Sequence, residues 1–284
     1  MSLRPSERLT ATVLAALLTL ALLVRPPGWQ PRVLAFAVLL LALLGLARVR
    51  HGAAVLLRDL APVGAVLGIF LLLQPLVAGA NPHRWDPVLA RTDAHWFGPL
   101  AARWRGALGR PSAFTDLMYL AYASFYFLPV AVALLARRRL GPAAFERFAF
   151  TLLLGFYLSF LGYFLWPAEG PRIPPTLAAA RLGGGPVSDA VRAFLRISEH
   201  TTLDAFPSGH AALSLLPALL ATRAFPRLAP LFWAWALAVI FATVYISAHY
   251  VVDILAGLAL APLTLLGAGP LARVFGADPG SRDP

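Results

Sequence analysis

The sequence predicts an all-α polytopic membrane protein, a helix bundle of about eight transmembrane helices with a six-helix core. Of its 284 residues, 59% are hydrophobic and only 13% are charged, whereas a soluble domain carries about 25% charged residues. Long apolar runs recur along the chain, and a membrane span needs roughly 20 such residues. Short arginine-containing connections separate many of these runs, which is typical of membrane helices joined by loops.

Eight apolar runs define the predicted spans. They cover residues 9–24, 33–46, 60–80, 114–136, 145–166, 209–221, 228–247 and 249–266. The first run follows a short basic head, which is also a feature of signal peptides. It ends in Arg25-Pro26-Pro27 without a small-residue cleavage site, so we interpret it as an uncleaved span.

The chain divides into three predicted parts: two accessory helices in residues 1–58, a core in residues 59–270 and a polar cytoplasmic tail in residues 271–284. In segment 81–111, aromatic residues such as Trp96 and Trp104 recur at helical spacing. This pattern predicts an amphipathic helix in the headgroup layer, although a packed loop helix shows it too.

Charge and cysteine content exclude several classes of site. All 24 basic residues are arginines and the net charge is +11, which in a membrane chain indicates cytoplasmic loops and anionic headgroups. No nucleic-acid-binding module is present, so we expect no nucleic acid partner. Because the chain has no cysteine, it has no disulfide, no thiolate metal site and no cysteine nucleophile.

The arginine distribution also predicts the orientation of the chain. The termini and the short arginine-rich loops are assigned to the cytoplasm by the positive-inside rule. The opposite ends of the spans are then extracytoplasmic. The basic segment 81–111 would lie outside and opposes this assignment, but long structured loops carry less weight in the rule.

The first candidate motif is Pro207-Ser208-Gly209-His210, at the start of the sixth span. Ser208 is predicted as the N-cap of a helix, with the Gly209 amide among the free N–H groups of its first turn. Such a helix end is a natural phosphate cradle.

The second candidate motif is His249-Tyr-Val-Val-Asp253, at the start of the eighth span. Four residues apart, the two side chains lie on one helix face, so Asp253 can orient the imidazole of His249. A carboxylate at the centre of a membrane helix costs about 3 kcal/mol, which favours a functional pair over an interfacial histidine. His210 and His249 are separated by one outgoing and one returning span, so both are expected at one membrane face, where they suggest phosphoryl transfer.

These motifs resemble the second and third signature motifs of the type 2 phosphatidic acid phosphatase superfamily, over residues 60–266. They look more like its inositolphosphotransferase-like branch, which includes inositol phosphorylceramide synthases. The residues that carry the branch resemblance are Phe206-Pro207-Ser208 with His210, Gly170-Pro171-Arg172, and His249-Tyr250 with Asp253 and Gly257.

The resemblance implies a metal-independent enzyme without a cofactor, acting on lipid phosphoesters through a phosphohistidine. His249 would be the nucleophile, His210 would protonate the leaving oxygen, and Asp253 would fix the tautomer of His249. The phosphate oxygens would be held by Arg172, Ser208 and Gly209.

Two positions depart from the phosphatase members of the family. Thr243 stands where they have an arginine six residues before the nucleophilic histidine, and Leu165 stands where they have a lysine seven residues before Arg172. Two phosphate-binding cations are therefore absent from their usual places, which favours the transferase-like branch. The candidates to replace these cations are three arginines of the connection before the sixth span: Arg181, Arg192 and Arg196.

Three functions remain open at this point. The protein is expected to transfer a phosphate-bearing headgroup from a membrane lipid to a second lipid or polyol acceptor. The alternative within the enzyme class is a lipid phosphate or prenyl diphosphate phosphatase. The alternative of another class is a non-catalytic lipid-binding or transport protein, which the intact set of His210, His249 and Asp253 disfavours.

Overall fold

A computed structural model describes residues 3–52, 54–108, 111–171, 182–198 and 202–277. These residues form twelve α-helices and contain no β-strand, so the predicted all-α helix bundle is confirmed. The helices are α1 (Pro5–Val24), α2 (Trp29–Leu46), α3 (Ala54–Ala80), α4 (Asp86–Trp96), α5 (Leu100–Leu108), α6 (Ser112–Ser124), α7 (Leu128–Arg139), α8 (Pro142–Leu165), α9 (Pro186–Ser198), α10 (Gly209–Ala224), α11 (Ala229–Tyr245) and α12 (Val251–Val274).

Five of these helices, α1, α2, α3, α8 and α12, are long and apolar enough to cross a membrane. Helix α11 is a shorter apolar helix of 17 residues, and α10 has 16. The predicted single span at residues 114–136 is wrong, because a turn at residues 125–127 divides it into α6 and α7. Helix α7 carries a proline in its first turn, where proline favours a new helix start.

Helix starts differ from the apolar runs in a systematic way. Helices α1, α3 and α8 begin three to six residues before the apolar residues that predicted them, since the first turn of a helix tolerates proline and polar side chains. Helix α12 instead begins two residues after the start of its predicted span, 249–266. It begins at Val251 with Tyr250 as N-cap, so His249 precedes the helix on which it was predicted.

The amphipathic segment forms two helices, α4 and α5, joined by a turn at Gly98 with φ +58°. Helix α4 packs on α12 and α5 packs on α11, while α9 packs on α6. Trp104 stacks on Phe241 with ring centroids 4.6 Å apart, whereas Trp96 is 73% exposed. The two tryptophans that predicted one interfacial helix therefore have different surroundings.

Helix α1 is attached to α3 and α7 by ion pairs with buried carboxylates, at the end of the bundle remote from His249. Glu7 accepts from Arg58 at 2.6 Å, and Asp59 accepts from Arg4 at 2.6 Å and from Arg137 at 2.8 Å. These contacts join α1 to α3 and α7. Removal of Arg58 would leave the buried Glu7 carboxylate without this partner, and breaking a buried pair in this way costs about 3–5 kcal/mol.

Helix α10 lies at the centre of the core, packed against α8, α11 and α12. Its start meets the start of α12 through a hydrogen bond from the Ser208 N–H to the Asp253 carbonyl, at 2.9 Å. One turn further along α12, a Cβ at Gly257 would collide with the Ser208 carbonyl and lie 3.0 Å from the Cβ of Ala211. Only glycine at this position allows the two helix starts to touch.

We expect Gly257→Ala to destabilise the protein by about 1–3 kcal/mol, because the added methyl group overpacks a backbone contact. Gly267→Ala is the matched control on the same helix, since a Cβ there meets only Leu271 at an ordinary 3.8 Å. Thermal unfolding in detergent measures both variants. Equal melting temperatures for the two would show that the α10–α12 contact tolerates a side chain.

Candidate active site

The two predicted motifs meet at one end of the bundle. His249 Nε2 lies 3.3 Å from His210 Nδ1. The two residues are only 6% and 9% exposed. His210 is the second residue of α10 and His249 lies in the turn between α11 and α12. A polar pair of this kind in an apolar bundle interacts more strongly than it would in water.

A backbone carbonyl determines which nitrogen of His249 carries the proton. His249 Nδ1 lies 3.0 Å from the Ala205 carbonyl oxygen, which only accepts hydrogen bonds. Nδ1 is therefore the protonated nitrogen in the neutral ring, and Nε2 keeps its lone pair. It follows that His210 Nδ1 donates to His249 Nε2, so the two rings are arranged as a proton donor and a base.

Asp253 is placed differently from the prediction that it fixes the His249 tautomer. Its Oδ2 accepts the Tyr250 N–H at 2.9 Å and lies 3.6 Å from His249 Nδ1, which is too long for a hydrogen bond. The carboxylate thus caps α12 and adds a charge beside the imidazole. Its Oδ1 is buried and has no hydrogen-bond partner among the described residues.

Ser208 is the N-cap of α10, as the sequence indicated. Its side chain accepts the Ala211 N–H at 3.2 Å, and the residue is fully buried. Gly209 is packed so closely that a Cβ there would lie 2.6 Å from the Tyr163 hydroxyl oxygen. The first turn of α10 is therefore a buried helix start beside His210.

Arg172 and Arg181 lie outside the described residues. The chain that leads toward Arg172 passes close to the site, because a Cβ at Gly170 would lie 2.8 Å from the Ala248 carbonyl oxygen. Arg192 bonds Asp189 at 2.6 Å and the Gly183 carbonyl at 3.2 Å. These contacts hold Arg192 in the connection between α8 and α10.

The aromatic surroundings of His210 were not predicted as part of the site. Tyr122 stacks on the His210 ring with centroids 4.3 Å apart and planes 18° apart, and Phe125 lies at 4.2 Å. In the structure these rings fix the plane of the imidazole, since they contact its face.

Two aspartates of α4 hold the loops around His249. Asp86 accepts the amides of Glu169 and Gly170 at 2.9–3.0 Å, and Asp93 accepts the Val252 amide at 3.1 Å. Burial raises the pKa of the Asp93 carboxyl, and the amides of Val252 and Val251 oppose this rise. Seven residues apart, the two carboxylates share one face of α4, a spacing that could have predicted their common role.

A cavity of about 300 Å³ opens between α4, α5 and the turn that carries His249. Its polar lining comprises Asp93, Arg105, Ser247, His249 and Tyr250. Burial raises the pKa of the Tyr250 hydroxyl to about 12, with a further rise from the charges of Asp86, Asp253 and Asp93. Tyr250 is therefore protonated at neutral pH and can donate a hydrogen bond into the cavity.

Fold and site together define an integral membrane helix bundle with a buried histidine pair at one end. The family model described as the PAP2 superfamily matches residues 88–266. This range covers more than half of the chain and contains His210, His249 and Asp253, and the chain belongs to that superfamily. No curated protein and no solved structure matches the chain. Membership supports phosphatase or phosphotransferase chemistry on lipid phosphoesters in general.

The structure separates the capping role of Asp253 from its charge. Asp253→Asn keeps an oxygen that accepts the Tyr250 N–H, whereas Asp253→Ala loses the cap. We expect the free energy of unfolding of the alanine variant to be about 1 kcal/mol lower than that of the asparagine variant. Thermal unfolding in detergent checks this difference, and a more stable alanine variant would contradict the assigned cap.

Proposed function

We propose that the protein is a membrane phosphotransferase that moves a phosphate-bearing lipid headgroup to an acceptor alcohol through a phosphohistidine on His249. The observation that carries the proposal is the histidine pair itself. His249 Nε2 has a lone pair because Nδ1 faces the Ala205 carbonyl at 3.0 Å, and His210 faces that lone pair at 3.3 Å. A nucleophile and an acid within hydrogen-bond reach are the parts that covalent catalysis requires.

In the first step, His249 Nε2 attacks phosphorus and the bond from phosphorus to the leaving lipid oxygen breaks. The electron pair stays on that oxygen, which receives the proton of His210. In the second step, His210 takes the proton of an acceptor hydroxyl, whose oxygen attacks phosphorus and releases His249. Phosphorus lies in line between the attacking and leaving atoms, so the two rings must separate from their 3.3 Å contact when the substrate binds.

Asp253 stabilises the positive charge that His249 gains during attack, from its position 3.6 Å away. The Ser208 hydroxyl and the Gly209 amide are proposed phosphate ligands at the buried start of α10. Arg172 is proposed as a further ligand, in agreement with the passage of residue 170 beside Ala248. The proposed mechanism needs no metal, because helix-end amides and arginine stabilise the transferring group.

The inositolphosphotransferase-like branch is the finer assignment that we favour over a phosphatase. Thr243 and Leu165 occupy the positions of two cations that phosphatase members carry. The Thr243 side chain is uncharged and supplies no cation. It is fully buried, and its hydroxyl donates to the Ile240 carbonyl at 2.7 Å. We further propose that the active site is extracytoplasmic and that both termini are cytoplasmic, which follows from the arginine distribution.

The first test uses purified protein in detergent with EDTA, a panel of lipid phosphates and phosphatidylinositol, and candidate acceptor alcohols. We expect a new headgroup-bearing lipid that forms only with an acceptor and disappears in His249→Ala. Release of free phosphate that depends on His249 would instead identify a phosphatase. Equal results for wild type and His249→Ala across the panel would favour a non-catalytic role.

The role of His210 as an acid predicts a dependence on the leaving group. We expect His210→Ala to slow transfer from an alkyl phosphoester by about 100-fold or more. The rate with a p-nitrophenyl phosphoester should fall much less in this variant, because its leaving oxygen departs without a proton. Measurement of kcat/KM with both substrates checks this expectation, and equal losses would assign His210 another role.

A further inference from the structure

The cavity beside His249 contains an arginine that belongs to neither motif. Arg105 lies on α5, and it is the one arginine among the described residues that line this cavity. Phosphoryl transfer develops negative charge on the phosphate oxygens, which a positioned cation stabilises. A fixed positive charge in the cavity that also contains the proposed nucleophile can therefore stabilise these oxygens.

Arg105 is fixed by the turn that carries His249. Its Nη1 donates to the Tyr245 carbonyl at 2.6 Å and to the Ser247 hydroxyl at 3.0 Å. These acceptors lie four and two residues before His249 in the chain. These two bonds hold the planar guanidinium in a defined orientation, and such a group suits the oxygens of a phosphate.

The backbone of this turn supports a functional role. Ser247 has φ +59°, a left-handed conformation that non-glycine residues adopt at a cost and that clusters at functional sites. Its hydroxyl binds Arg105 while its backbone shapes the turn before His249. The anchor of the arginine and the position of the histidine thus depend on the same residue.

We infer that Arg105 is a phosphate-binding residue and that the cavity it lines receives the anionic phosphate headgroup of the substrate. This inference rests on the proposed function and identifies a cation that the two motifs do not supply. Arg105 reaches from α5 to the end of α11, where it bonds the Tyr245 carbonyl. The cation is therefore supplied by a helix outside the two motifs.

The cavity also limits what this headgroup can be. With a volume of about 300 Å³ it lies at the lower end of small-molecule sites. Its lining includes small residues of α4, of α5 and of the turn between them, among them Ala94, Ala101 and Gly98. The cavity therefore fits a phosphate that carries a compact polar group, while the hydrocarbon chains of the lipid remain in the bilayer.

The test compares Arg105→Gln with Arg103→Gln, a matched control on the same helix whose side chain is exposed and does not line the cavity. Arg105→Lys retains the charge without the planar fork. The first measurement is the rise in melting temperature that inorganic phosphate produces in detergent, which does not depend on activity. The second is kcat/KM for the lipid substrate.

We expect Arg105→Gln to abolish the phosphate-induced rise and to lower kcat/KM by about 100-fold. Arg105→Lys should retain part of both signals, and Arg103→Gln should retain them fully. Ser247→Ala provides a second variant if Arg105→Gln does not fold. It keeps Arg105 but removes one of its anchors, and we expect it to weaken the response to phosphate.

Two results would overturn the inference: a wild-type protein whose melting temperature phosphate does not change, or an Arg105→Gln variant that matches Arg103→Gln in both measurements. Failure of the proposed function has a different signature. In that case wild type and His249→Ala are equally inactive, while the phosphate-induced rise still depends on Arg105.

Discussion

The contact between the starts of α10 and α12 is the constraint on which the site depends. One hydrogen bond, from the Ser208 N–H to the Asp253 carbonyl, joins the two motifs, and the absence of a side chain at Gly257 lets the helices approach. Each motif is also a helix N-terminus with its own cap. Backbone contacts within the bundle thus bring the two histidines together, and the contacts of their own rings with the Ala205 carbonyl and with Tyr122 orient the imidazoles.

The aspartates of α4 extend this arrangement to the surrounding loops. Asp86 holds the segment after α8 and Asp93 holds the start of α12. The tyrosine and phenylalanine rings of α6 and the following turn contact His210 from another side. The proposed nucleophile and acid are therefore supported by elements that approach from separate parts of the chain, which is how a reactive pair is kept oriented in a low-dielectric interior.

The sequence was sufficient to predict the helical class and five of the eight apolar spans, because hydropathy is a local signal. It was wrong for the run 114–136, where a turn divides the helix. It placed Ser208 correctly as a cap. It misplaced His249 on a helix, since the Tyr250 cap depends on Asp253 three residues later. The Ala205 carbonyl that faces His249 could not be predicted, because a backbone group leaves no trace in residue type. Arg105 could not be predicted for a related reason: it bonds Tyr245 and Ser247, which are 140 and 142 residues away.

The position of His249 late in the chain has a consequence for biosynthesis. The histidine follows α11, and the helix that completes its surroundings, α12, is the last of the described helices. Domains are made from the N-terminus onward, so the earlier helices can be inserted in the bilayer before His249, the proposed nucleophile, has left the ribosome. A truncated chain that ends just before α12 would contain Arg105, His210 and His249 but would lack the helix whose Asp253 carbonyl bonds Ser208. The proposed site is therefore complete only once α12 has been synthesised.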